Sequence, residues 1–261
     1  MTDSLVTERA LARTYDSGYH ADAWAIVEQY RRAVSYASRH DVGSSAAASA
    51  LDLPRSRLRP WIDGDSVPDP VRAIDTAREY GWLECGFDDP AFAGLNALVA
   101  NVFSGGSIAE RNYAPTFALN HRGDDSHVVD ACELAAVDYR VLEREGRADE
   151  LRPTADGTVL GRVLAVLGAP VGPKADQQLS LPSYLEDAPA ETRETFAYAY
   201  LENRAIEHDG KATLTIRERR NRAYLEALAE LLNSVAGGGV EFGETTITIS
   251  AAATRELGVV R

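Results

Sequence analysis

Three stretches carry residue types that could do chemistry. In GDDSHVVD, Asp124 and Asp125 stand just ahead of His127 and imitate a metal cluster. The same letters serve a helix start, with Asp125 or Ser126 as its N-cap. In HDGK, Asp209 and Gly210 fall between two alternating segments, where Asp-Gly is the standard type I′ hairpin turn. The third stretch, LVANVFSGGSI from Leu98 to Ile108, reads as a helix running into a glycine pair and then a strand. Such a junction is a natural place for a carboxylate that holds a metal. Here the turn carries Ser104, Gly105, Gly106 and Ser107, with no acid among them. His20, His40, His121, His127 and His208 are scattered without metal-ligand spacing. Cys85 and Cys132 lie far apart with no CxxC, which fits two buried thiols and neither a zinc site nor a disulfide framework. The expectation from these residues is no metal site and no cofactor.

The chain of 261 residues is long enough for one large domain or two small ones, and its 45% of apolar residues can supply a core. The net charge is -13, yet the 27 basic residues are arginine except for Lys174 and Lys211. This acidic, lysine-poor composition fits a salt-rich, haloarchaeal cytoplasm; an acidic protein from a GC-rich genome would look the same. Such a charge argues against nucleic acid for the molecule as a whole, but local patches can hide within it. No apolar run follows a basic start, and no stretch reaches the roughly 18 apolar residues of a membrane helix. The expectation is a soluble cytoplasmic protein with no membrane partner.

Residues 1–20 are polar and read as a flexible terminus. From Asp22, Trp24, Val27, Tyr30, Val34 and Ala37 recur at helical spacing, predicting a helix over about 22–40. A short alanine-rich helix follows and ends near Leu51. Asp52 and Leu53 make a tight connection, and Pro54 suits the first position of a helix over 54–63 that carries Arg55, Arg57 and Arg59. Pro60 marks that helix as short or kinked. Another helix follows Pro70. Short helix, tight turn, second helix is the helix-turn-helix plan for the major groove. Between Gln29 and Trp61, six arginines face only Asp41 and Asp52, a positive island in an acidic chain. Arginines on the solvated face of a helical bundle would look alike. This module is assigned to 21–88.

Beyond it the texture repeats. One pass of helix, two strands, helix, two strands, helix covers 93–170, and a second covers 190–258, joined by a linker at 171–189. Leu98 aligns with Phe196. The fold class is therefore α+β: an N-terminal helix-turn-helix module followed by a pseudo-symmetric pair of αββαββα units. GRVLAVLGAPVGPK, then LPSYL and a helix, lies between the units. In this region and in its topology the chain resembles the monomeric LAGLIDADG homing endonucleases, whose two units form a saddle over DNA. With its helix-turn-helix, it is also similar to the WhiA-type regulators, in which the nuclease fold has lost its cutting residues. The resemblance implies that each motif helix should end in an acid followed by glycine, and that the two acids hold divalent metals. Laid on that pattern, LVANVFSGG puts Gly105 at the first acid and FAYAYLENR puts Asn203 at the second. Glycine has no ligand atom, and asparagine is a poor anchor for a hard cation. The nearest substitutes are Glu110, expected on the first strand, and Glu202, which points about 100° away from Asn203 on its helix.

Strand alternation separates a face for the helices from a face for a ligand. In KATLTIR, Ala212, Leu214 and Ile216 point inward, leaving Lys211, Thr213, Thr215 and Arg217 outward. In PTFALNHR, Phe117 and Leu119 point inward, leaving Thr116, Asn120 and Arg122; in DYRVLERE, Arg140 and Arg144 share a face. Arg111, Arg147 and Arg152 are weaker candidates. These types suit phosphates and base edges, although solvated sheet faces are also polar. The leading expectation is a sequence-specific double-stranded DNA-binding protein, a transcriptional regulator on a catalytically inactive homing-endonuclease fold. The alternatives are a Mg²⁺-dependent LAGLIDADG endonuclease, an RNA-binding intron maturase and a scaffold without nucleic acid. Two units in one chain predict a monomer or at most a weak dimer.

Overall fold

A computed structural model describes residues 4–16, 22–119, 126–146 and 148–258. The N-terminal helices are α1 (Glu8–Arg13), α2 (Ala23–His40), α3 (Ser44–Leu51), α4 (Arg55–Ile62) and α5 (Asp69–Glu79). The segment expected to be a flexible terminus therefore contains a helix. α1 is only six residues long, too short for a periodic signal, but Thr7 caps it by accepting from the Ala10 N–H. Val6, Leu11 and Ala12 anchor it in the core.

The alanine-rich sequence of α3 lets it lie close to α4. Ala33, Ala47 and Leu58 form a small core of their own, edged by Tyr36, Leu51, Leu53 and Trp61. The turn between α3 and α4 puts Asp52 in the left-handed region, φ 52°, as the C-cap of α3. Aspartate is among the few residues that visit this region readily. Pro54 is the N-cap of α4, one position earlier than the sequence placed it, and α4 stops at Ile62, two residues past Pro60.

The first unit runs α6 (Pro90–Ser104), β1 (Ser107–Ile108), β2 (Pro115–Ala118), α7 (His127–Leu134), β3 (Tyr139–Leu142), β4 (Glu150–Pro153) and α8 (Gly157–Val166). The second runs α9 (Ala190–Arg204), β5 (Ile206–His208), β6 (Lys211–Arg217), α10 (Arg222–Val235), β7 (Val240–Phe242), β8 (Thr246–Ile249) and α11 (Ala251–Glu256). Each unit folds one antiparallel four-stranded sheet, ordered β1-β2-β4-β3 and β5-β6-β8-β7. The two orders are the same, so the fold is α+β with a pseudo-symmetric pair of units, as expected.

Two local expectations fail. β1 is only two residues long, because Ala109 to Ala114 closes a turn: Tyr113 takes φ 59° and the Asn112 side chain accepts from the Ala114 N–H. Glu110 sits in that turn and not on a strand. The Asp209-Gly210 turn is present, but only Gly210 has positive φ and the register shifts at Glu207/His208. A type I′ turn needs positive φ at both residues, so this hairpin closes with a bulge instead.

α6 is the central element. Every residue from Gly94 to Ser104 is buried, and the helix packs along α9 and α7. Asn96 ties α6 to α9, donating to the Thr192 carbonyl (2.8 Å) and accepting from the Tyr184 hydroxyl (2.7 Å). One continuous core runs from Val6 and Ile74 through α6 to Ile249, so α1 and α5 are bonded to the first unit and not hung from a linker. The Arg162 guanidinium on α8 lies between the rings of Tyr15 (3.6 Å) and Tyr113 (4.1 Å) and donates to the Thr14 carbonyl. Cation–π stacking and the lost hydrogen bond together put the cost of Arg162→Ala at about 1–2 kcal/mol. Hydrogen exchange should then quicken in α1 ahead of α6; uniform quickening would show that Arg162 does not clamp the terminus.

Among the described residues, no helix is long and apolar enough to cross a membrane. Cys85 and Cys132 are buried free thiols, and burial pushes them up to about 11 and about 12.

Candidate nucleic-acid interface

In each sheet one face is covered by helices and the other is not. In the first, Phe117 and Leu151 pair across β2 and β4 and are fully buried. The opposite face carries Ser107 beside Thr116, Ala118 beside Glu150, and Arg140 beside Arg152. In the second, Leu214, Ile216, Ile247 and Ile249 form the buried face. The open face pairs Thr215 with Thr248 and Arg217 with Thr246. The alternation read from the sequence holds in β2 and β6 but not at the edges. Ala212, expected inward, is exposed at the hairpin end. Val141, opposite Leu151, is also exposed, and β3 ends at Leu142, so Arg144 lies beyond the strand on which it was expected to share a face with Arg140.

The candidate side chains differ in how free they are. Lys211, Arg217 and Arg140 are exposed, and Thr213, Thr215 and Thr116 are half-buried. The Thr116 hydroxyl lies 2.9 Å from Ser107 Oγ, and Thr215 Oγ1 lies 3.0 Å from His208 Nε2. Arg144 and Arg152 both ion-pair with Glu150, so one carboxylate offsets part of this face. Asn120, Arg122, Arg147, Asp124 and Asp125 lie outside the described residues. Ser126 is the N-cap of α7, but its hydroxyl accepts no N–H there. Thr246 and Thr248 were not singled out in the sequence. The alternation of TTITIS carries the same signal as KATLTIR and could have found them.

On α4, Arg55 and Arg59 are one turn apart and exposed. Arg57 points elsewhere and donates to Gln29 Oε1 at 2.7 Å, which ties it to α2. The positive island is also smaller in space than in sequence. Arg31 is clasped by Glu8 at 2.7 and 3.1 Å, and Arg78 joins the same carboxylate. The Arg31 hydrogen bond holds Glu8 below the usual carboxylate range against the opposing effect of burial. Asp63 caps α3 through the Ser44 N–H and hydroxyl, which holds its carboxyl low, and it lies near Arg55 and Arg59.

Where α6 and α9 end side by side, the two motif positions meet. A Cβ on Gly105 would lie 3.5 Å from Cγ and Nδ2 of Asn203 and 2.7 Å from the Ala118 Cβ. Asn203 Nδ2 donates to Ser104 Oγ at 2.9 Å. The backbone N–H groups of Gly105 and Gly106 both donate to the Asn101 carbonyl. The sequence alignment of the two units therefore put two neighbours in space at equivalent positions.

Around them sits a cluster that no sequence motif announced. The Lys174 ammonium, from the linker, donates to the carbonyls of Val102, Phe103 (3.3 Å) and Gly106 (2.8 Å) at the end of α6. Glu218, 8% exposed, has Arg204 Nε 2.7 Å and Arg220 Nε 3.4 Å from its two oxygens. Arg220 also donates to the Lys174 carbonyl. Burial, with Arg204 and Arg220 nearby, pulls the Lys174 ammonium down to about 8. Burial raises the Tyr200 hydroxyl, with Tyr224 and Glu218 adding to it.

Two divalent ions would need anionic oxygens here. Gly105 offers no side chain, the Asn203 amide is engaged, and among the described residues the one carboxylate of the cluster, Glu218, faces two arginines. Three fixed cations would repel a fourth positive group. These residues do not fit a divalent metal pair. Among the described residues, no group of three or more acids, histidines or cysteines is placed to hold one elsewhere.

No protein-family model matches the chain, and no curated protein matches it. Among solved structures it aligns with the crystal structure of I-DmoI in complex with DNA and Mn. The identity is 11% and the TM-score 0.41, over 63% of this chain and 93% of that one.

Proposed function

We propose that this protein binds duplex DNA sequence-specifically and serves as a transcriptional regulator, with a LAGLIDADG-like pair of units that no longer cuts. One observation carries the reading. Two sheets of the same strand order each turn a threonine- and arginine-bearing face away from the helices, in a chain of net charge -13. Threonine hydroxyls and arginine forks serve phosphates and base edges. Arg55 and Arg59 on α4 supply a second point of attachment, in the manner of a helix-turn-helix. If the host cytoplasm is salty, the Debye length of about 3 Å at 1 M makes close arginine contacts the working ones.

The test is selection of a random duplex library by the purified protein in KCl, with and without Mg²⁺, sequencing retained and cut molecules. An enriched, uncut motif whose recovery ignores Mg²⁺ is the expected result. Defined ends that appear only with Mg²⁺ would mean an endonuclease, and enrichment of structured RNA over duplex in a parallel selection would mean a maturase-like role. The R55A/R59A double variant should lose part of the enriched motif while keeping the rest. An unchanged motif would remove α4 from the interface.

A further inference from the structure

Where α6 and α9 end side by side and Gly105 meets Asn203, positive side chains gather. Three cations, Lys174, Arg204 and Arg220, surround one carboxylate, Glu218. The two helix C-termini add about half a negative charge each, which among the described residues of this cluster still leaves an excess of positive charge. The three cations are not equivalent. Lys174 directs its ammonium at three carbonyls of α6, and Arg220 is committed to Glu218 and the Lys174 carbonyl. Arg204 uses Nε toward Glu218, and its side chain is 37% exposed. It follows Asn203 at the end of α9 and immediately precedes the open sheet of the second unit.

We propose that Arg204, backed by Lys174 and Arg220, is a metal-independent seat for one backbone phosphate of duplex DNA, at the end of α9 beside the second sheet. Lys174 takes the role of a counter-ion on the end of α6, and Glu218 holds the Arg204 guanidinium while its outer edge stays open to the ligand. A guanidinium presents five donors in a rigid fork suited to phosphate. The inference rests on the proposed duplex binding but is separable from it.

The test uses the full chain and a fluorescein-labelled mixed-sequence duplex, with anisotropy titrations across a KCl series. Each phosphate contact contributes about 0.9 to the slope of log affinity against log salt. The R204Q variant should therefore show a slope lower by about one and R204K a slope near wild type, with Mg²⁺ at constant ionic strength changing neither. In the wild-type protein, duplex should protect Arg204 from phenylglyoxal, read by mass spectrometry, so the result does not depend on variant folding. A wild type that binds duplex while Arg204 is modified equally with and without it, or an R204Q slope equal to wild type, overturns the seat alone. Absence of duplex binding by the wild type overturns both readings. Binding that requires Mg²⁺ overturns the metal-independent role.

Discussion

Replacing Glu218 with alanine should destabilise the protein by about 3 kcal/mol or more. Removing one partner of a buried ion pair typically costs about 3–5 kcal/mol, because the remaining charge is left without compensation. Here the orphaned charges are Arg204, Arg220 and Lys174 together. Arg204 can turn toward water, being 37% exposed, which keeps the expected loss near the lower end. For a chain of this size, that loss lowers the Tm by about 6–12 °C. The pH dependence has a definite sign. Lys174 is pulled from 10.5 to about 8 in the fold, mostly by burial. The unfolded chain therefore holds this proton more tightly, and the group's contribution to stability rises with pH between about 8 and 10.5. Below that window the whole cost of a buried ammonium is present, and Glu218 is the anion that offsets it. The Tm difference between wild type and E218A should accordingly be larger near pH 7 than near pH 9. An equal difference at both would mean that Glu218 acts through shape and not through charge.

The parts legible in the sequence are those written in local periodicity. Leu214 and Ile216 alternate with Thr213 and Thr215, and this fixed which face of β6 is open. The 98-residue offset between Leu98 and Phe196 brought Gly105 and Asn203 to equivalent helix ends, which the fold then places side by side. α1 was missed because six residues give no periodic signal; its helix depends on burying Leu11 and Ala12 against the rest of the molecule. The β1 turn was missed for a similar reason, since SIAERNY alternates acceptably until Tyr113 enters the left-handed region. The arginine island was over-counted because Glu8 lies far from Arg31 along the chain and reaches it only through the packing of α1 on α2. The central cluster was invisible for the same reason on a larger scale. Lys174 lies in the linker, Arg204 ends α9, and Glu218 and Arg220 follow β6. No spacing rule joins such positions. The one available hint was compositional: in a chain with two lysines, a lysine in an apolar-flanked linker is worth asking about.

Gly105→Asp, which would put back the acid that the family resemblance leads one to expect, should neither restore metal chemistry nor leave the fold untouched. The new Cβ would stand 2.7 Å from the Ala118 Cβ, on a backbone fixed by two Asn101 side-chain bonds to Ala118. Strand β2 must shift, and overpacking of this kind costs about 1–3 kcal/mol. The carboxylate would also sit at the negative ends of α6 and α9, which costs about 0.3–1 kcal/mol. Lys174 and Arg204 would draw it back, and that attraction opposes metal binding, because the acid would pair with a fixed cation. The double variant G105D/A118G separates the terms. If the Cβ contact dominates, removing the Ala118 methyl should recover most of the lost stability, and the coupling between the two sites should be favourable in a double-mutant cycle. If electrostatics dominates, A118G should add its own loss to that of G105D. Neither variant, nor G105D/N203D, should gain heat of Mg²⁺ binding by calorimetry or nick a supercoiled plasmid. Mg²⁺-dependent nicking by G105D/N203D would mean that the cations around Glu218 leave room for a metal pair, and the reading of this centre as a phosphate seat would have to give way to one in which only the two acids are missing.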